Sequence, residues 1–191
     1  MSLHPTNRRQ MLQRLGAASI AATPLLSSVS YAGVFMDEAQ AQKILHPHAD
    51  GFVMLQMALD DSKLNAITKQ SETRIPRGFA PRVWRAKQGD QVLGWVIADR
   101  VIGKYDLIDY AAGFDVQGAA LGMEILAYRE SHGAEVRQTA WRKQFVGKKG
   151  PMQMRFADDI RNISGATLSC QHVTEGMQRL SALATLLVMG S

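Results

Sequence analysis

The stretch that decides the fold is "LIDYAAGFDVQGAALGMEILAYRE", residues 107–130. It consists of two apolar runs separated by the polar segment Asp-Val-Gln-Gly, residues 115–118, a composition typical of a hairpin turn. Parallel pairing of the two runs would need a crossover connection of a dozen or more residues, which this segment lacks. The stretch therefore predicts an antiparallel β-hairpin.

The chain on the N-terminal side of this hairpin extends the predicted sheet. "RVWRAK" (82–87) and "VLGWVIADRVI" (92–102) are strand-like runs joined by a short polar turn. We expect the tryptophans in these runs, Trp84 and Trp95, to pack in the core. "FVMLQMALD" (52–60) also reads as a strand, although its Met and Leu content would equally suit a buried helix segment.

Three segments have helical patterns. Residues 37–46 begin with acidic residues and end before Pro47, and residues 60–72 begin with two aspartates that are good N-caps. In the third, residues 166–189, apolar side chains at spacings of three and four form one face: Val173, Met177, Leu180, Leu183 and Leu187. The predicted fold is α+β, a single domain in which helices, including a C-terminal amphipathic one, flank a meandering antiparallel sheet. No Gly-x-Gly-x-x-Gly follows a strand, so a conventional dinucleotide site is not supported.

The N-terminal segment, residues 1–32, has the pattern of a twin-arginine export signal. Arg8 and Arg9 precede an uncharged run, and Ser30 and Ala32 are small residues suited to a cleavage site. The apolar run is short and contains a proline, so we expect no stable membrane anchor after cleavage. The alternative is a disordered basic tail. The export signal predicts a periplasmic protein whose mature domain spans residues 33–191.

Charge and cysteine content exclude several classes of protein. The chain has 22 Lys and Arg against 17 Asp and Glu, a formal charge of +5, and three of the arginines lie in the export signal. The mature domain is therefore nearly balanced, and nucleic-acid binding is not expected. Cys170 is the only cysteine, so there is no intrachain disulfide and no haem-attachment motif. His46 and His48 lack further ligand residues nearby, so no metal site is predicted.

Directly before the last helix lies the sequence Ser164-Gly165-Ala166-Thr167. One interpretation is helix capping, in which the hydroxyl of Ser164 or Thr167 accepts a hydrogen bond from a backbone amide. A second is phosphate binding, because free amides and the helix dipole favour an anion at a helix start. A threonine hydroxyl that faces outward there could also carry a phosphate as an ester.

This four-residue sequence resembles the flavinylation motif of the FMN-binding domain family, which includes periplasmic flavin subunits of the sodium-pumping NADH:quinone reductase and of Rnf-type complexes. The resemblance implies that a flavin transferase, using FAD, joins FMN through its phosphate to Thr167. Ser164, Gly165 and Ala166 would then shape the attachment turn.

Other segments resemble the same family in the correct order, so that the likeness spans residues 92–185. Residues 113–126 are similar to its central hairpin, and residues 141–148 to a following block. Between them, the family commonly has Glu-Thr-Pro-Gly where this chain has Glu130, Ser131, His132 and Gly133. The resemblance implies that Glu130, Ser131 and Gly133 lie near the flavin ring, with Trp141 and Phe145 as apolar cover.

The chain departs from the family pattern at one position. The family motif has an aspartate three residues before the serine, where this chain has Arg161. Asp159 is two residues earlier and is the nearest acidic substitute. If the family aspartate positions magnesium-bound FAD, the substitution bears on the efficiency of flavin attachment.

These observations predict an exported electron-transfer flavoprotein that carries FMN on Thr167 and exchanges electrons with a membrane-bound partner. No catalytic residue is predicted, because no nucleophile or general acid stands out, and His132 is interpreted as a loop residue. Two alternatives stay open: a periplasmic module that binds FMN or another small ligand noncovalently, and a flavin-dependent reductase.

Overall fold

The computed structural model of the protein describes residues 33–190. The predicted export signal lies outside these residues. The strands are β1 (Gly33–Val34), β2 (Gly51–Leu55), β3 (Arg82–Gln88), β4 (Gln91–Ile102), β5 (Leu107–Asp115) and β6 (Ala120–Tyr128). The helices are α1 (Glu38–Leu45), α2 (Asp61–Ser71), α3 (Thr139–Arg142) and α4 (Thr167–Met189). Short 3₁₀ turns occupy Ala134–Arg137, Lys143–Phe145 and Pro151–Gln153.

The six strands form one antiparallel sheet in the order β1-β6-β5-β4-β3-β2. From β2 to β6 each strand pairs with its neighbour in sequence, so the sheet is a meander, and the two-residue β1 is added at the outer edge of β6. The predicted hairpin at residues 115–118 is present, with the amide of Gly118 donating to the carbonyl oxygen of Asp115. The predicted α+β fold class is confirmed.

Helices cover both faces of the sheet, as the alternating side chains of β4 show. Val96 and Ala98 belong to a small apolar cluster that includes Ala41 of α1. Trp95 and Ile97, one residue out of step, belong to the main core with α4. Because successive strand residues point to opposite faces, α1 and α4 pack on opposite sides of the sheet. Trp84 and Trp95 are both buried, as predicted.

The two N-terminal helices begin at the predicted residues. Asp37 and Gln40 form a capping box at the start of α1, in which each side chain accepts a hydrogen bond from the backbone amide of the other residue. Asp60 caps α2 by accepting from the amide of Lys63. The predicted strand at residues 52–60 is confirmed as β2 but ends at Leu55.

The C-terminal helix α4 is the largest single contributor to the core. It packs against β4, β5 and α2. Of its predicted apolar face, Val173, Met177, Leu180 and Leu183 are fully buried, and Leu187 is partly buried. Cys170 is also buried, which agrees with its interpretation as an apolar helix residue. Within residues 33–190, no helix is both long and apolar enough to cross a membrane.

Leu180→Ala tests the dependence of the fold on α4. Leu180 is fully buried, so its truncation leaves a cavity and should lower the free energy of unfolding by about 3 kcal/mol. Leu168→Ala on the same helix is the control, because Leu168 is 41% exposed. Its cost should stay below about 1 kcal/mol. Urea unfolding followed by circular dichroism measures both, and equal losses would contradict this account of the core.

Candidate functional site

The end of strand β6 is joined to the start of helix α4 through a hydroxyl pair. The hydroxyl of Tyr128, the last residue of β6, donates to the carbonyl oxygen of His132 and lies 2.9 Å from the hydroxyl oxygen of Ser169. Burial raises the pKa of Tyr128 to about 12, so this phenol stays protonated over the physiological range. The connection brings residues 130–133 against the first turn of α4.

Gly133 is required by this arrangement. Its φ is +89°, a conformation that residues with a side chain rarely adopt. A Cβ atom at this position would lie 2.6 Å from the hydroxyl oxygen of Tyr128 and 2.7 Å from that of Ser169. Both contacts are far shorter than van der Waals separation, so the packing of Tyr128 on Ser169 leaves room only for glycine.

Glu130 shapes the loop between β4 and β5. Its side chain is buried, and Oε1 accepts hydrogen bonds from the amides of Tyr105 and Asp106. Burial acts to raise the pKa of this carboxyl, but the backbone hydrogen bonds outweigh it, and the pKa lies below its ordinary value. Glu130 therefore holds residues 103–106 in place beside the turn at 131–133.

Among residues 33–190, no side chain caps the start of α4. Ala166 is the N-cap residue and makes no side-chain hydrogen bond to the helix, so the capping interpretation of Ser164 and Thr167 is wrong. Thr167 is the first helical residue and is exposed, and its Oγ1 accepts from Nδ2 of Asn162 at 3.0 Å. The first turn of α4 contains no acidic residue. Its amides and its positive dipole end are therefore available to an external anion.

A cavity of about 380 Å³ opens beside this helix start. It is lined by the loop between β4 and β5, by the turn after β6 and by the first turn of α4: Lys104, Tyr105, Glu130, Ser131, His132, Gly165, Ala166, Thr167, Leu168 and Ser169. We call it the helix-start cavity. Gly165 has φ of +85°, and a Cβ there would meet no atom within 4 Å, so the space above this turn is open.

The structure brings most of the predicted cofactor-binding residues together. Glu130, Ser131, Gly165, Ala166 and Thr167 all line the helix-start cavity. Two more lie beside these in the chain: Gly133, which fixes the turn after β6, and Ser164, which is exposed.

Trp141 and Phe145 do not line the helix-start cavity. Both are buried in the main core, where their rings meet edge to face with centroids 5.3 Å apart. The indole nitrogen of Trp141 donates to the carbonyl oxygen of Arg161 at 2.8 Å, and Gln144 accepts from the amide of Arg161 at the same distance. These bonds fix the backbone that leads into the turn at residues 164–167.

Asp159, the acidic residue that precedes the turn most closely in sequence, is already paired. Asp159 accepts hydrogen bonds from the amide of Arg155 at 2.9 Å and from its guanidinium at 3.3 Å. The backbone hydrogen bond is the main cause of the lowered pKa of Asp159. A role for Asp159 in positioning FAD would have to compete with this pairing.

Five cavity residues were missed by the sequence analysis: Lys104, Tyr105, His132, Leu168 and Ser169. Lys104 and Tyr105 lie in the loop between β4 and β5, more than sixty residues before Thr167, and only the meander brings them to α4. The available signal was a Gly-Lys-Tyr-Asp turn between two strands, with a cation and an aromatic side chain at its tip. The ammonium of Lys104 lies 4.8 Å from the centre of the Tyr105 ring.

Residues 103–182 match the family model of the FMN-binding domain. This part of the chain has the sequence pattern of the FMN-binding domain family. The matched range contains every element that lines the helix-start cavity, and FMN is the cofactor. No curated protein matches the chain.

The residues of the helix-start cavity suit FMN. The uncapped helix start and the Lys104 ammonium are complementary to the phosphate of FMN. Tyr105, which is 76% exposed, provides an aromatic surface, and the cavity volume falls within the roughly 300–1,000 Å³ common for small-molecule sites.

No group of three or more potential metal ligands occurs in the described part of the chain. His46 is buried beside the carbonyl oxygen of Trp95.

Gly133→Ala tests the packing beside the cavity, with Gly147→Ala as a matched control. Both glycines have positive φ, of +89° and +78°, but a Cβ at Gly147 would meet no atom within 4 Å. The control should cost about 1 kcal/mol in free energy of unfolding for backbone strain alone. Gly133→Ala should cost at least about 2 kcal/mol more, because the hydroxyl pair must separate. Equal values in denaturant unfolding would show that the close contact is absent in solution.

Glu130→Gln tests the loop between β4 and β5. A folded-state pKa below the ordinary value of 4.5 means that the carboxylate stabilises the fold above that pH, and that this stabilisation is lost as the pH falls through the folded-state pKa. The variant should therefore lose about 1–2 kcal/mol at pH 7 and progressively less below pH 4.5. Asp90→Asn, at a fully exposed carboxylate, is the control. A loss independent of pH would contradict the assignment.

Proposed function

We propose that the protein is an electron-transfer flavoprotein in which FMN is joined to Thr167 by a phosphoester. The observation that carries the proposal is the position of the Thr167 hydroxyl: it is exposed at an uncapped helix start, beside a cavity, within an FMN-binding domain. A hydroxyl needed for capping would be engaged with its own helix, whereas this one accepts a hydrogen bond only from the side chain of Asn162 among the described residues.

The proposed attachment balances with FAD as the donor. The oxygen of Thr167 forms a bond to the phosphorus on the flavin side of the FAD pyrophosphate, and the pyrophosphate P–O bond to the adenylate breaks. AMP leaves, and the hydroxyl proton is released. Asp159 is paired with Arg155, and Glu130 accepts from the amides of Tyr105 and Asp106, so both carboxylates already have partners, which supports a separate flavin transferase as the catalyst.

Backbone amides and side chains around the helix-start cavity would bind and orient the cofactor. The amides of the first turn of α4 and the Lys104 ammonium would neutralise the phosphate charge, and the open turn at Gly165 would admit it. Ser131 and His132 would lie along the flavin, because they line the same cavity. The redox chemistry is supplied by FMN, while the protein contributes attachment and environment.

The proposed location is the periplasm, after export by the twin-arginine route. The paired arginines, the apolar run and the small residues before Gly33 support this proposal. A covalent linkage suits such a location, because a cofactor lost outside the cytoplasm is not readily replaced. We infer that a membrane-bound redox partner exchanges electrons with the flavin, since soluble nicotinamide donors are scarce there.

The second candidate is noncovalent binding of FMN in the same cavity. The cavity volume and the anion-binding helix start would suit a free FMN equally well. The two candidates differ in one respect only, which is whether the flavin stays on the chain when the protein unfolds. A flavin-dependent reductase would in addition need a place for its substrate beside the ring.

Thr167→Val separates these candidates. Valine matches threonine in shape but has no hydroxyl, so the variant should fold normally and carry no covalent flavin. The full chain is produced with an active flavin transferase, denatured, and measured by intact-mass spectrometry. The parent should gain the mass of FMN less one water, and Thr139→Val, at an exposed threonine outside the cavity lining, should gain it too.

An unmodified parent that still binds yellow flavin before denaturation would support the noncovalent candidate. A parent modified at another residue, located by peptide mapping, would overturn the assignment to Thr167. The same masses report whether residues 1–32 have been removed.

A further inference from the structure

A second cavity of about 380 Å³ lies on the other side of the loop between β4 and β5. It is enclosed by residues 74–79, by the end of β4 and by the middle of α4, and four arginines line it: Arg74, Arg77, Arg100 and Arg179. We call it the arginine cavity. It shares no lining residue with the helix-start cavity.

The strongest indication of a ligand is Arg179. This residue is only 4% exposed, and its Nε atom is buried without a hydrogen-bond partner among residues 33–190. Its Nη1 makes one long hydrogen bond, 3.4 Å, to the carbonyl oxygen of Arg74. A buried guanidinium with unused donors is costly unless an acceptor completes it. The Arg179 guanidinium therefore has fewer acceptors among residues 33–190 than it has donors to satisfy.

The charge around the arginine cavity is incompletely balanced. Asp109 lies 3.5 Å from the guanidinium of Arg100 but also binds Arg129 at 2.8 Å. Asp99, deeper in the sheet, faces Arg179 and Arg100, and burial raises its pKa. Glu175 is the one acidic residue in the lining, and it accepts a hydrogen bond from Gln171.

Arg74 and Arg77 are exposed and form no salt bridge within the described part of the chain. The arginine cavity is therefore lined by two guanidinium groups without a salt bridge, those of Arg74 and Arg77, and by the incompletely hydrogen-bonded guanidinium of Arg179. Arginine binds carboxylates and phosphates through paired N–H donors.

Apart from the arginines, Glu175 and His172, the lining has no ionisable side chain and is largely apolar, which selects among anions. Phe79, Val101, Ile102 and Leu107 contribute the carbon surface between the arginines. An inorganic ion would leave this surface facing water, whereas an organic acid would cover it. The lining thus combines a charged rim with a hydrophobic wall.

We propose that the arginine cavity binds a small organic carboxylate whose apolar body contacts Phe79 and the end of β4, and whose carboxylate is held by Arg77, Arg74 and Arg179. The site is distinct from the flavin site and does not depend on covalent attachment at Thr167. His172 forms the boundary, because its Nδ1 donates to the carbonyl oxygens of Ile102 at 2.7 Å and Gly103 at 2.9 Å.

Isothermal titration of the flavin-bearing full-length protein with benzoate tests the proposal. Benzamide, which has the same shape without the charge, and inorganic phosphate, which has charge without the apolar body, are the control ligands. Benzoate should bind with Kd below about 1 mM and at least about tenfold more tightly than either control. Absence of benzoate binding in this range, or equal binding of phosphate, would overturn the proposal.

Arg77→Gln locates the binding. The side chain is exposed on a loop, so folding should be unchanged, as thermal unfolding will verify, while benzoate affinity should fall about tenfold with the loss of one charge-assisted contact. Lys69→Gln, which removes an exposed charge from α2 outside the cavity lining, should leave the affinity unchanged. Equal affinities in the two variants would place benzoate elsewhere and reject the site.

Thr167→Val separates this site from the flavin site. Benzoate should bind equally well to this variant and to the flavin-bearing parent. Binding to the variant alone would mean that flavin occupies the arginine cavity, and the proposal of a separate site would fail while the flavin proposal stood.

Discussion

The hydrogen-bonded contact between Tyr128 and Ser169 is the interaction on which the rest of the site depends. It joins the last strand of the sheet to the first turn of the last helix, two elements 41 residues apart in sequence. The turn that contains Glu130 and Ser131 is thereby packed beside the turn that contains Thr167. Gly133 is the condition for this contact, because any side chain there would separate the two hydroxyls. The cofactor site is in this sense a product of packing between two secondary-structure elements.

Helix α4 serves two purposes along its length. From Val173 to Leu183 its apolar face fills the main core, so its direction and depth are fixed by the sheet. Its first turn buries Cys170 in the same core but exposes Thr167 and Leu168, and no side chain among residues 33–190 caps it. A rigid helix thus presents backbone amides without helical partners at a fixed place. The packing of the buried turns that follow offsets the free-energy cost of leaving these amides unpaired. An anion at this end encounters donors that are already oriented.

The sequence was sufficient for the fold class, and it pointed to most of the residues that the structure brings to the helix-start cavity or beside it, for different reasons. Strand alternation, the Asp-Val-Gln-Gly turn and the spacing of apolar residues in α4 are local signals, and the elements that they predict are present. The SGAT sequence and its likeness to a known family pointed to the turn at residues 164–167, of which Gly165, Ala166 and Thr167 line the helix-start cavity. The sequence did not reveal the long-range contacts. Lys104 reaches the cavity only through the meander of the sheet, and Trp141 contacts the carbonyl oxygen of Arg161, which leads into the turn at residues 164–167. Helix capping at Ser164 or Thr167 was a reasonable local prediction, but Ala166 occupies the N-cap position.

The meander has a consequence for the order of folding. From β3 to β6 each strand pairs with its neighbour in sequence across a connection of two to four residues, so these pairings can form early, whereas residues 56–81 separate β2 from β3. The turn at residues 164–167 is different, because its geometry depends on contacts that bridge 41 and 70 residues and so requires α4 to have docked. A chain with a complete sheet and an undocked helix would contain the SGAT sequence without its shape. Any enzyme that reads the shape as well as the sequence would therefore act only on molecules that have finished folding.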